Sequence, residues 1–122
     1  MTEKEIKEIY DRLLSLTKNH AIRWKKTEDS EYLVNFSRSS VAIERYYYPE
    51  YVLTVLKVFN EDGILVAYAA SQELLDEEEG AKQFVFDPSE LFNLVQDEVY
   101  KYSQTSENIL NELRELGLQK GG

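Results

Sequence analysis

Apolar positions open the chain at helical spacing: Ile6, Ile9, Leu13 and Leu16 recur at intervals of three, four and three. That places them on one face of an amphipathic helix. Thr2 and Glu5 supply the Thr-x-x-Glu capping box that satisfies orphan amides at a helix start. Lys18 and Asn19 mark the end, the lysine suiting the helix C-terminus and the asparagine tolerating a left-handed exit. The period then drops to two. Residues 21–27 set Ile22, Trp24 and Lys26 against Arg23, Lys25 and Thr27, the alternation of a half-exposed strand. Glu28, Asp29 and Ser30 form a turn. Residues 31–37 follow with Tyr32, Val34 and Phe36 on one face, and residues 41–48 with Val41, Ile43 and Tyr47 inward. Pro49 ends that strand because it has no amide to donate to a ladder.

The next stretch, residues 51–70, predicts the centre of the fold. It reads YVLTVLKVFN-EDG-ILVAYAA, two apolar arms joined by a short loop in which Gly63 accepts the positive φ that hairpins require. Tyr51, Leu53, Val55 and Phe59 occupy one face of the first arm and Val52, Leu56 and Val58 the other. A strand apolar on both faces is central and covered on both sides. Beyond Ala70 the pattern breaks into an acidic, irregular segment that closes with a short edge strand over residues 83–86. Asp87-Pro88-Ser89-Glu90 then signals a helix start: aspartate as cap, proline at the first helical position, glutamate completing a capping box. The stripe that follows is Leu91, Val95, Val99, Tyr102, Ser106, Ile109, Leu113 and Leu116, at intervals of four or three, with Gly117 as a stop. Its phase survives the polar patch at residues 103–106. Two readings follow, one long helix or a break there with Thr105 or Ser106 capping a second. The predicted fold is α+β: an N-terminal helix, about five antiparallel strands and a long C-terminal helical segment packed on the sheet. Residues 1–117 form a single domain and residues 118–122 a loose tail.

Leu13, Leu16, Thr17, Ile22, Trp24, Tyr32, Phe36, Val41, Ile43, Arg45 and the stretch 51–63 form a run that resembles small uncharacterised helix–sheet–helix proteins of bacterial and mobile-element genomes. The resemblance covers about half the chain and rests on core and turn residues. It implies a fold and carries no activity, cofactor or site.

Composition narrows the chemistry. The chain has 122 residues and no cysteine, which excludes disulfides, thiol catalysis and thiolate metal sites. Its single histidine, His20, excludes a multi-histidine metal centre within one chain. The N-terminus has no apolar core of signal-peptide type, and the apolar runs are too short to span a bilayer. The expectation is a cytoplasmic protein with no membrane partner. Net charge is −9, and from residue 71 to 98 nine acids face Lys82 alone. A surface so acidic argues against nucleic acid and admits a basic protein partner. No nucleophile elbow, phosphate-cradling glycine pattern or calcium loop is present, so neither an enzyme nor a cofactor is expected.

Three surfaces remain as candidates. The cluster Arg45, Tyr46, Tyr48 and Tyr51 offers large contact area beside an arginine, the composition of an interaction hot spot. Asp76, Glu77, Glu78 and Glu79 form an acidic surface. Tyr102, Ile109, Leu113 and Leu116 continue past any strand of ordinary length, and a second copy is the simplest cover for such a stripe. The leading expectation is a homodimeric protein-interaction module. One alternative is an acidic inhibitor of the immunity or anti-defence type that blocks a basic surface on a toxin or nuclease. Another is a small-ligand domain with a pocket lined by Trp24 and tyrosines.

Overall fold

A computed structural model describes residues 1–74 and 80–121. The order is α1 (Glu3–Lys18), β1 (Lys25–Glu28), β2 (Glu31–Asn35), β3 (Ser40–Tyr47), β4 (Val52–Phe59), β5 (Leu65–Ala70), β6 (Lys82–Val85) and α2 (Ser89–Gly121). The capping box forms as the first residues dictate: the Thr2 hydroxyl accepts from the Glu5 amide at 3.1 Å, and the Glu5 carboxylate accepts from the Thr2 amide at 2.9 Å. Those bonds hold the Glu5 carboxyl below its usual range, the backbone bond acting most strongly. At the other end Asn19 is the cap, with φ −89°, and the left-handed residue is His20, with φ 58°.

The six strands lie in chain order across one sheet. The first five form an antiparallel meander, and β6 adds to the edge of β5 in the parallel direction. A parallel neighbour requires the chain to recross the sheet. Leu74 and Ala81, on the described ends of that crossing, pack on Leu53, Val55, Tyr68 and Ala70. β4 is therefore covered on both faces, with Leu53, Thr54, Val55 and Leu56 all buried in succession. The central hairpin turns on Asn60, whose side-chain oxygen accepts from the amides of Asp62 and Ile64, and on Gly63 at φ 77°.

Both helices pack on the other face. Ile6, Leu13, Leu91, Phe92 and Val95 meet Tyr32, Val34, Val41, Ile43, Leu56 and Val58 in the main core. Two edge positions depart from simple alternation. Phe36 and Tyr47 are exposed, at 40% and 62%: Phe36 lies just past the end of β2, and Tyr47 is the last residue of β3. β1 begins at Lys25, so Trp24 is buried from the connecting segment and not from within the strand.

At the start of α2 the Asp87 side chain accepts from the Ser89 amide at 3.0 Å, and Phe92 closes the first turn on the Pro88 carbonyl. The two readings of the C-terminal segment resolve to one helix of 33 residues. It runs through Gly117 to Gly121, where the sequence predicts a stop. A glycine ends a helix by taking a left-handed conformation, and Gly117 keeps the helical one. In a helix interior it costs about 1 kcal/mol relative to alanine, too little to break a continuous ladder.

Replacing Leu56 by alanine in the centre of the sheet is expected to lower unfolding free energy by about 2–5 kcal/mol. Thr2→Ala, which removes the cap, is expected to cost about 1 kcal/mol. Urea titration at fixed protein concentration measures both, and a loss below that of Thr2→Ala for Leu56→Ala would contradict its central placement.

Candidate functional site

The sheet has two faces and the long helix has two halves, and the candidate surfaces divide among them. α2 spans about 50 Å at 1.5 Å per residue. The longest strands have eight residues and span about 27 Å. Leu91, Phe92 and Val95 are completely buried, and Val99 is half-buried against the same core. From residue 101 to 118 every position is exposed. Tyr102, Ile109, Leu113 and Leu116 are 51–59% exposed, in phase with the buried residues. Leu110 and Leu118 join them at 50% and 76%. The sequence signal for Leu110 is its spacing from Ser106 and Leu113, which widens the stripe to two residues per turn.

An open groove of about 850 Å³ lies where the helix leaves the body. Its apolar wall is Ile22, Trp24, Val99, Tyr102 and Leu110, and its rim carries His20, Arg23, Lys25, Lys26, Glu98 and Glu107. A buried relay fixes the wall. The Trp24 indole donates to the Thr17 hydroxyl at 3.0 Å, and that hydroxyl donates to the Leu13 carbonyl at 2.6 Å. The left-handed turn at His20 brings its Nδ1 to 3.0 Å from Glu98 Oε2, joining the end of α1 to the middle of α2. Arg23 lies over the Tyr102 ring at 4.1 Å and donates to its hydroxyl. Arg23, Lys25 and Lys26 thus give the groove a basic side, while Glu112 and Glu115 ride on the exposed helix beyond it.

The tyrosine cluster is real and the arginine is not part of it. Tyr46, Tyr48 and Tyr51 line a cup of about 510 Å³ with Leu53, Val55 and Lys57, on the face away from the helices. Tyr48 and Tyr51 stack with ring centroids 4.8 Å apart across the Pro49 bend. Arg45, one residue from Tyr46 on the same strand, points to the helix face. There it donates to Thr54 and to Asn93, each at 3.1 Å, and lies 4.1 Å over the Phe92 ring. Trp24 also belongs to the helix face, where it shares the groove with Tyr102, apart from these three tyrosines. At the base of the cup Glu44 is buried, paired with Lys57 at 3.1 Å and accepting from the Tyr46 hydroxyl. The acidic surface proposed at Asp76, Glu77, Glu78 and Glu79 lies outside the described residues. Among the described residues no three carboxylate or imidazole side chains are grouped to hold a metal ion, and no helix is long and apolar enough to cross a membrane.

Burial first, and then the bond to Glu44, push the Tyr46 phenol well above its ordinary value of 10.0. The folded state therefore favours the neutral phenol. That contribution is complete below pH 10.0 and is lost as pH rises through the folded-state value. Tyr46→Phe is expected to remove one late ionisation from an ultraviolet difference titration and to flatten the fall in stability above pH 10.0. Glu44→Gln is expected to move that ionisation down. Titrations unchanged by both would contradict the Tyr46–Glu44 hydrogen bond. Comparison with protein-family models, with curated proteins and with solved structures returned no match for the chain, and the geometry of the groove, the cup and the exposed helix carries the functional reading.

Proposed function

We propose that the protein is a non-enzymatic interaction module that forms a homodimer through the distal half of α2. One observation carries this reading: the apolar stripe passes without a change of phase from buried Val95 to exposed Leu116. The distal part, residues 103–118, is about 24 Å long and exposed at every position, with Ser103 to Leu110 only bordering the open groove. A helix of that length held only by its own hydrogen bonds is marginal in water. Covering it changes the balance, since burying each leucine or isoleucine contributes about 1.5–3 kcal/mol. A second copy presents an identical stripe of identical length, and a two-fold axis lets each cover the other.

The module reading also gives the tyrosine cup a place. It lies on the opposite sheet face, clear of the helix, and its stacked rings offer rigid contact area to a further protein.

In light scattering coupled to size exclusion the expected mass is twice 14.3 kDa. Leu113→Asp combined with Leu116→Asp is expected to halve it and to abolish the dependence of the melting temperature on concentration. A wild-type mass of 14.3 kDa at tens of micromolar, or a dimer indifferent to the two aspartates, would overturn the proposal.

A further inference from the structure

The groove and the exposed helix are complementary in shape and charge, and each is incomplete alone. We infer that the two copies pair antiparallel, so that the distal α2 of one fills the groove beside Trp24 on the other. This rests on the dimer reading and adds the orientation, the register and the occupant of the groove.

The register follows from the spacing. From Val95 onward the stripe alternates steps of four and three, a heptad seam with Val99, Ser106 and Leu113 as one class and Val95, Tyr102, Ile109 and Leu116 as the other. Antiparallel seams layer one class against the other. The pairing that sets Ser106 against Ile109 of the second copy also sets Tyr102 against its Leu113 and Val99 against its Leu116. Tyr102 and Val99 are groove residues, and both keep exposed surface to cover. Sliding one heptad inward would drive Leu113 onto Val95, which is completely buried already. Sliding one heptad outward would leave the groove at Val99 empty. The intermediate register alone fills the groove and spares the core.

Charge selects the same arrangement. The groove's rim carries Arg23, Lys25 and Lys26 against Glu98 and Glu107, and the incoming helix carries Glu112 and Glu115 against Arg114, so the two sides keep opposite net signs. A parallel pair would leave the basic rims remote from Glu112 and Glu115. Opposite charges brought together at a partly apolar rim favour the antiparallel form.

The chain has no cysteine, so a single Leu118→Cys variant accepts one spin label per copy at a position 76% exposed. Pulsed dipolar spectroscopy then measures the separation in the dimer. The antiparallel register puts the two positions about 32 Å apart along the axis, at 1.5 Å per residue. A parallel pair puts them about 10 Å apart, the distance between packed helix axes. A separation near the longer value supports the inference. The shorter one, with the dimer mass intact, overturns the antiparallel register and leaves the proposed dimer standing. A monomer mass with no dipolar signal overturns both. Lys25→Glu with Lys26→Glu is expected to weaken dimerisation at least tenfold at low salt, and adding Glu112→Lys and Glu115→Lys is expected to restore it. Weakening without restoration, or no weakening, counts against the rim as the partner of the incoming helix.

Discussion

A helix of about 50 Å laid on a sheet about 27 Å along its strands cannot be covered by its own domain. Everything distinctive about this protein follows from that mismatch. The proximal half of α2 closes the main core through Leu91, Phe92 and Val95. The distal half leaves the body with the same stripe exposed from Tyr102 to Leu118. Its root is held by two contacts, His20 to Glu98 and Arg23 over Tyr102, while Lys18 meets Glu90 at the start of the helix at 3.4 Å. All three come from α1 or the segment that follows it, so the turn at His20 sets the angle at which the helix departs.

The same segment builds the groove. Once His20 has turned the chain, Trp24 drops into the core and bonds Thr17, while Arg23, Lys25 and Lys26 stay at the surface. An apolar floor and basic side chains on the rim thereby come from one short run. The sheet's other face is organised differently. Leu74 and Ala81 cover Leu53, Val55 and Ala70, and buried Glu44 pairs with half-buried Lys57 beside the tyrosines. Removing one partner of such a pair leaves an uncompensated buried charge, which typically costs several kcal/mol.

Much of the fold is legible in the sequence because local rules and burial agree there. The capping box at Thr2, the two-sided β4 and the Asp87-Pro88 start of α2 each combine a local signal with a matching hydrophobic period. The misses have physical causes. Asn19 and His20 are both polar residues at a helix exit, and spacing alone does not say which takes the left-handed turn. Gly117 reads as a stop because stop and tolerated glycine have the same composition. β6 was legible as a strand, but its parallel direction depends on where residues 71–81 cross. Of the site, the stripe at Tyr102, Ile109, Leu113 and Leu116 was legible from periodicity. The separation of Arg45 from Tyr46 follows from strand alternation, while the groove needs the turn at His20 and is invisible in one dimension.

The central claim is that the distal half of α2 is ordered by a second copy. Amide hydrogen exchange across residues 89–118 at two protein concentrations tests it most directly. The account predicts protection of residues 106–118 approaching that of residues 89–99 at high concentration, and selective loss of the distal protection on dilution. Distal amides that exchange as an unsupported helix at every concentration would contradict it.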